Sequence, residues 1–119
     1  MAVLRIVPNL AAHDPAGLAR FYRSLLGLDV AMDLGFIVTL AGGAQDTQLS
    51  LASEGGAGTD LPVLSIEVDD LDAVLAQARA LDCPPVHGPV DEDWGVRRFF
   101  LRDPEGNLVN ILTHPENRA

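Results

Sequence analysis

At 119 residues the chain has the length of one compact domain, and its composition, 48% hydrophobic against 21% charged, favours a packed globule over a disordered segment. The net charge of -9 argues against nucleic acid as a partner, because binding to polyphosphate requires clustered Lys and Arg. Cys83 is the only cysteine, which excludes an intrachain disulfide and favours a cytoplasmic location. No apolar run reaches the roughly 20 residues that a membrane span needs, and residues 1–9 lack a signal-peptide pattern, so we expect no membrane partner and no export.

The first half of the chain has the pattern of a strand, a helix and three strands. Residues 3–10 are apolar and β-branched, which predicts a strand. Asp14 and Pro15 supply a helix start, and Gly27 supplies a residue able to adopt the left-handed conformation that ends a helix. The predicted apolar face of this helix comprises Leu18, Phe21, Tyr22 and Leu25. Three strand-like runs follow, near 28–33, 35–41 and 47–52.

The second half repeats this order after a Gly-rich stretch at 54–60, whose composition predicts a flexible connector. Residues 61–68 predict a strand, Asp69-Asp70 starts a second helix and Pro84-Pro85 ends it. The predicted apolar face of this helix comprises Leu71, Val74, Leu75, Ala78 and Leu81. Three further strand-like runs lie near 85–90, 95–102 and 107–113.

Asp14 and Asp70 occupy the same place in the two halves, which gives a repeat period of about 56 residues. We therefore predict an α+β fold of paired βαβββ modules. The expected single domain has module one at about 1–53, the linker at about 54–60 and module two at about 61–114. The alternative is a ferredoxin-like α+β sandwich, which needs only two strands after each helix.

Several segments occur in a family-specific order: Phe21-Tyr22, then Leu25-Leu26-Gly27-Leu28, then Val68-Asp69-Asp70, then Trp94-Gly95-Val96-Arg97, then Asp103-Pro104-Glu105-Gly106-Asn107. With these segments the chain resembles the glyoxalase / bleomycin-resistance / extradiol dioxygenase (vicinal oxygen chelate) superfamily along nearly its whole length. The resemblance implies that the two modules curl a mixed sheet into a cup that binds metal and substrate. Each segment also has a purely structural role in a core face, a helix stop or a turn, so together they indicate a fold and no particular reaction.

Enzymes of this family, as the resemblance implies, hold a divalent ion with His, Glu or Gln side chains on cup-facing strands. The resemblance places the first ligand position near Val7 and the third near Val63, and neither valine can donate an electron pair. Asn110 stands at the usual terminal Glu, and the remaining position lies around Gln48 or Ser50. Because transition ions need about three His, Cys or carboxylate donors, we expect no bound metal and no other cofactor.

Without a metal, the best binding candidates are the polar and aromatic residues on the cup-facing sides of strands. Alternation along a strand places Gln48 with Ser50 on one face, and it separates Asn110 from its two apolar neighbours. The family motif favours Arg97 as the inward residue and leaves Arg98 exposed. The predicted ligand-binding residues are Asn9, Phe36, Gln48, Ser50, Ser65, Trp94, Arg97, Phe99 and Asn110.

Two aromatic residues of that set, Phe36 and Trp94, lie on or near hairpins that would close the cup or pack across a subunit boundary, and packing alone is the alternative for Trp94. A flat ligand would stack near Trp94 and Phe99. The acidic chain would attract cations, whereas an inward Arg97 would hold a carboxylate, so the sign of the ligand charge stays open.

No catalytic constellation can be assembled from the sequence. His13, His87 and His114 fit surface or turn roles, and Asp91-Glu92-Asp93 fits a solvated loop. We predict a small-molecule-binding protein, similar to drug-sequestering, bleomycin-resistance members of the family and, by resemblance, a homodimer. A metal-dependent glyoxalase-like lyase, isomerase or dioxygenase with an altered ligand set is the alternative, and a regulatory or partner-binding domain is a third possibility.

Overall fold

A computed structural model describes residues 1–43 and 47–115. Within these ranges the order of elements confirms the predicted βαβββ pattern in both halves and with it the α+β fold class. The elements are β1 (Val3–Ala11), α1 (Pro15–Leu26), β2 (Asp29–Asp33), β3 (Ile37–Ala41), β4 (Gln48–Ala52), β5 (Leu64–Val68), α2 (Leu71–Ala80), β6 (His87–Asp91), β7 (Arg97–Arg102) and β8 (Leu108–Thr113). Neither helix in the described ranges is long and apolar enough to cross a membrane.

The chain divides into two compact units, which we call the first unit, Val7–Leu61, and the second unit, Met1–Ile6 with Pro62–Ala119. In the first unit the strands lie in the order β2-β3-β4-β1, and β1 runs parallel to β4. In the second unit the order β6-β7-β8-β5 repeats this arrangement, with β5 parallel to β8. The chain between the two strands of each parallel pair contains a helix and two further strands, which is long enough for the crossover that a parallel connection requires.

The two helices begin with the same capping geometry. Asp14 Oδ1 accepts a hydrogen bond from the Gly17 N–H at 3.1 Å, and Asp70 Oδ1 accepts one from the Ala73 N–H at 3.1 Å. Both predicted caps are therefore confirmed, and they stand 56 residues apart as the repeat requires (70 minus 14).

The apolar face predicted for α1 is partly wrong. Leu18 and Tyr22 pack against the core, but Phe21 and Leu25 are 56% and 61% exposed. Pro15 and Ala19 are the buried residues of α1, so the helix is rotated towards its small residues. Phe21 instead meets the Tyr22 ring edge-on, with the ring centroids 5.2 Å apart.

The end of α2 also differs from the prediction, because the helix stops at Ala80, before Pro84 is reached. Asp82 takes a φ of 57°, the Asp82 N–H donates to Arg79 O at 3.1 Å, and the Cys83 N–H donates to Ala78 O at 2.9 Å. This pair of bonds is a Schellman motif, which satisfies the last carbonyls of the helix. Leu81, predicted on the apolar face, lies at this cap and is exposed.

The Gly-rich segment at 54–60, predicted from its composition to be a connector, forms a hydrogen-bonded loop. The Gly55 N–H donates to Thr59 O at 2.9 Å, and the Gly58 N–H donates to Glu54 Oε1 at 2.9 Å. Gly55 and Gly56 are buried. Gly55 therefore serves close packing, since a Cβ at this position would overlap the carbonyl oxygen of Asp60.

Each sheet has one apolar face towards its helix. In the first unit the core comprises Ala19, Val38, Leu40 and Leu51. In the second unit it comprises Val68, Leu71, Phe99, Val109 and Ile111. The predicted alternation that sets Leu49 and Leu51 apart from Gln48 and Ser50 is confirmed. The residues between these apolar positions form a second, polar face in each unit.

Candidate functional site

The polar face of the first unit carries a row of neighbouring residues on three strands. Asn9 on β1 lies opposite Ser50 on β4, and Ser50 lies opposite Thr39 on β3. The hydroxyl oxygens of Ser50 and Thr39 are 2.7 Å apart, and both side chains are buried. Gln48 shares this face and lies opposite Ala41. Phe36 immediately precedes β3, and its carbonyl oxygen accepts a hydrogen bond from the Ser53 N–H at 3.0 Å.

The polar face of the second unit carries the corresponding row, which we call the Asn110 row: Ser65, Asn110, Phe100 and His87. Ser65 on β5 lies opposite Asn110 on β8, Asn110 lies opposite Phe100 on β7, and Phe100 lies opposite His87 on β6. The Asn110 Nδ2 donates to Ser65 Oγ at 3.1 Å. Two predicted site residues, Ser65 and Asn110, are thus in direct contact.

The predicted positions of Arg97 and Phe99 on this face are wrong. The register Arg97↔Thr113 and Phe99↔Ile111 puts both residues on the opposite side of the sheet. Phe99 is fully buried in the core beside α2, and Arg97 reaches Asp91 at 3.4 Å. The residues on the face of Asn110 are their neighbours, Arg98 and Phe100, so the prediction that Arg98 is exposed is also wrong.

Arg98 is the centre of a buried cluster on the β6–β7 hairpin. Its Nε and Nη2 lie 2.6 and 2.5 Å from Glu92 Oε2. The guanidinium carbon lies 4.9 Å from the centre of the Trp94 ring and 4.6 Å from that of Phe100, so two aromatic faces enclose the cation. Burial lowers the pKa of Arg98, and the Glu92 carboxylate opposes that shift. Trp94, predicted as a ligand contact, is a packing partner of Arg98 here.

A second charged cluster escaped the sequence analysis. Glu67 on β5 accepts from Arg5 Nε at 2.7 Å on Oε1 and meets His114 Nδ1 at 2.9 Å on Oε2. Glu67 lies two residues after Ser65, so alternation along β5 places it on the same polar face. The two-residue spacing from Ser65 could have placed Glu67 on this face from the sequence, whereas no sequence signal indicated His114 as its partner.

The donor set does not fit the divalent ion that the fold family implies. Val7 and Val63 offer no lone pair, and Asn110 offers a single uncharged amide oxygen in place of a carboxylate. Among residues 1–43 and 47–115, no three His, Cys, Asp or Glu side chains are grouped so that they could hold a metal. Structural metals take about four such donors, and catalytic ones about three with an open position. The side chains at the family's ligand positions therefore do not suit a divalent ion.

Comparison with known proteins identifies others with this arrangement. The family model of the Glyoxalase/Bleomycin resistance protein/Dioxygenase superfamily matches residues 3–111. Among solved structures, similar folds include a variant of methylmalonyl-CoA epimerase of Streptomyces coelicolor in complex with 2-nitronate-propionyl-CoA, at 20% identity and a TM-score of 0.71, with 99% of both chains covered.

Two further structures show the same likeness of fold. A glyoxalase/bleomycin resistance protein/dioxygenase superfamily member from Vibrio splendidus 12B01 has 18% identity and a TM-score of 0.61, with 94% of this chain and 99% of that chain covered. A protein described as an NAD-dependent benzaldehyde dehydrogenase from Legionella pneumophila has 18% identity and a TM-score of 0.73, with 92% and 98% covered. No curated protein matches the sequence.

Proposed function

The chain belongs to the Glyoxalase/Bleomycin resistance protein/Dioxygenase superfamily, and from that membership we propose that it binds a small organic molecule on the polar face of the second unit without a divalent metal. The residues proposed to take part are those of the Asn110 row.

The observation that carries the proposal is the carboxamide of Asn110. The residue is 8% exposed, and its Nδ2 is fixed by the bond to Ser65. Its Oδ1 has no hydrogen-bond partner among the described residues. A buried acceptor without a donor costs about 1–3 kcal/mol. A ligand that donates an N–H or O–H to this oxygen would recover that free energy.

The charges on the same face favour a neutral ligand. Arg98 is neutralised by Glu92, and Arg5 is neutralised by Glu67. A carboxylate ligand would have to compete with these internal carboxylates at Arg98 and Arg5, and the other arginine on this face, Arg102, is exposed at the end of β7 and donates to Gly106 O at 2.9 Å.

The proposal is tested with a panel of neutral, cationic and anionic planar compounds, scored by melting temperature and by Trp94 fluorescence. Neutral donors should bind, and Asn110→Val should weaken them roughly tenfold, the value of one hydrogen bond of about 1.4 kcal/mol. Arg97→Glu, on the opposite face, is the matched control and should leave affinity unchanged. Equal affinities for wild type and Asn110→Val would overturn the assignment of this face.

Elemental analysis of the purified protein decides the metal-free part of the proposal. A stoichiometric, tightly held divalent ion would contradict it and favour the alternative, a glyoxalase-like lyase, isomerase or dioxygenase. Binding without chemistry would support a role like that of the drug-sequestering proteins of the family. The single Cys83 supports a cytoplasmic location for that role.

A homodimer is also part of the proposal. The exposed apolar pair on α1, Phe21 and Leu25, supports it, because apolar side chains of this size at a surface commonly mark an interface. Sedimentation at micromolar concentration should give twice the 12.7 kDa chain mass. A monomer under these conditions would remove the idea.

A further inference from the structure

The cluster of Arg5, Glu67 and His114 has the layout of an oriented histidine. Glu67 uses one carboxylate oxygen for Arg5 and the other for His114, at 2.7 and 2.9 Å. The Glu67 side chain is 12% exposed, while that of His114 is 26% exposed. The carboxylate is thus held inside the protein, and the imidazole reaches the surface.

This geometry fixes which imidazole nitrogen carries the proton. An ionised carboxylate only accepts hydrogen bonds, so the Nδ1 that faces Glu67 carries the hydrogen and donates it. In the neutral ring Nε2 then holds the free lone pair. Among the described residues, His114 makes its hydrogen bond through Nδ1 and none through Nε2. Nε2 of His114 is therefore the basic nitrogen available to a bound molecule.

Glu67 remains ionised under the conditions where such a base would act. Burial by itself would raise the pKa of Glu67, but the hydrogen bond from His114 and the charge of Arg5 outweigh burial, and the pKa is lowered. An anion beside Nδ1 stabilises the imidazolium that forms when Nε2 takes up a proton.

The other histidine on this face does not share these features. His87 Nε2 lies 3.4 Å from Glu92 Oε2, and that same oxygen is bound by Arg98 at 2.5 Å. The His87 ring packs on Phe100, with the ring centroids 4.9 Å apart. Glu92 is therefore paired closely with Arg98, whereas Glu67 binds Arg5 through Oε1 and His114 through Oε2.

We propose that His114 is the proton acceptor of a metal-independent acid–base site, with Glu67 and Arg5 as its positioning residues. In the step, the lone pair of Nε2 forms an N–H bond with a proton from a carbon or oxygen acid, and the electrons of the broken bond stay on that molecule. The resulting imidazolium is paired with Glu67, and it returns the proton to the product or to water. No metal, oxidant or reductant takes part.

The site stands independently of the proposed binding at Asn110, although both belong to one face. Ser65, the partner of Asn110, and Glu67 are two residues apart on β5, a separation of about 7 Å along a strand. A molecule larger than that could meet both groups. Hydrolysis of an activated ester requires only Nε2 of His114 and a water molecule, so its rate reports on the acid–base site.

Hydrolysis of p-nitrophenyl acetate provides the test. His114 Nε2 takes a proton from water as the water oxygen bonds to the acetyl carbon, and p-nitrophenolate leaves with its electron pair. His114→Gln should lower the protein-dependent rate roughly 100-fold, the lower end of what a positioned acid–base group contributes. The matched control is His13→Gln, which removes a histidine outside both clusters and should keep the wild-type rate.

Glu67→Gln separates an acid–base role from a structural one. Loss of the anion should lower the hydrolytic rate of the folded variant, because the imidazolium formed in the step loses its counter-charge. A merely structural cluster would change the melting temperature and leave the rate unaltered. If His114→Gln does not fold, the ¹⁵N shifts of His114 in the wild type replace it, and they should show hydrogen on Nδ1.

Two results would overturn the proposal: a rate for folded His114→Gln equal to that of His13→Gln, or a neutral His114 ring whose hydrogen is on Nε2 and not on Nδ1. Ligand binding by Trp94 fluorescence is measured on the same variants. Intact binding in His114→Gln with a lost hydrolytic rate would support the acid–base site, and lost binding in Asn110→Val alone would concern only the proposed function.

Discussion

Replacing Glu92 by Gln tests how much the buried ion pair on the β6–β7 hairpin stabilises the protein. The side chains of Arg98 and Glu92 are 4% and 8% exposed, and two nitrogens of the guanidinium lie 2.6 and 2.5 Å from one carboxylate oxygen. Glu92→Gln has nearly the same shape but leaves the Arg98 charge buried without a counter-charge. Removing one partner of a buried pair typically costs about 3–5 kcal/mol.

The lower end of that range applies here for two reasons visible in the structure. The Gln carbonyl can still accept one hydrogen bond from Arg98, and the rings of Trp94 and Phe100 still face the cation. We therefore expect the free energy of unfolding to fall by about 3 kcal/mol, which is over 100-fold in the folding equilibrium. Urea unfolding should show an earlier midpoint with an unchanged slope.

The same hairpin offers a matched control. Arg97 and Asp91 form an ion pair at 3.4 Å whose side chains are 37% and 75% exposed. Asp91→Asn should cost at most about 1 kcal/mol, because exposed pairs are screened by solvent. The reasoning is refuted if Glu92→Gln is no more costly than Asp91→Asn. Replacing both partners, Arg98→Met with Glu92→Leu, should restore most of the stability, since no buried charge then remains.

Three further variants test other features of the two units. The pKa of Glu67 is lowered in the folded state, so its contribution to stability is present above the unfolded pKa and is lost as pH falls through the folded pKa. Glu67→Gln should therefore flatten the acid side of a curve of unfolding free energy against pH. An unchanged curve would contradict the causes assigned to the pKa shift. Phe99→Ala should cost about 3–5 kcal/mol in urea unfolding, because Phe99 is fully buried in the core, and a cost below about 1 kcal/mol would put the residue on the other face. Gly55→Ala should cost about 1–3 kcal/mol through overlap with Asp60, whereas Gly43→Ala, where a Cβ meets no atom of the described residues within 4 Å, should be close to neutral.

Local signals predicted the succession of elements because they act over a few residues. The caps at Asp14 and Asp70 and the alternation around Ser50 each depend on neighbours in sequence, and all three are confirmed. The ends of elements were predicted less accurately. Pro84 stood out in the sequence as a helix breaker, but α2 ends earlier because Asp82 accepts the left-handed conformation and the carbonyls of Arg79 and Ala78 are satisfied there.

Contacts between distant strands could not be predicted in the same way. Glu67 and His114 lie 47 residues apart, and they meet only because β5 pairs in parallel with β8 in a particular register. The sequence places Glu67 on a polar face, but nothing in it indicates which of the three histidines the carboxylate orients. The charge partners of a site are therefore set by strand register, which local sequence patterns do not predict.

The error with the largest functional consequence comes from a doubled pattern, Arg97-Arg98-Phe99-Phe100. A shift of one residue exchanges Arg for Arg and Phe for Phe, so composition and alternation are equally satisfied by either face. In the structure, Phe100 lies opposite His87 on β6 and Asn110 on β8, and these pairings define the register of β7. This register makes Arg98 the inward cation beside Asn110, and Arg98 is paired with Glu92, a carboxylate of the protein itself. The proposed preference for neutral hydrogen-bond donors rests on that single change of register.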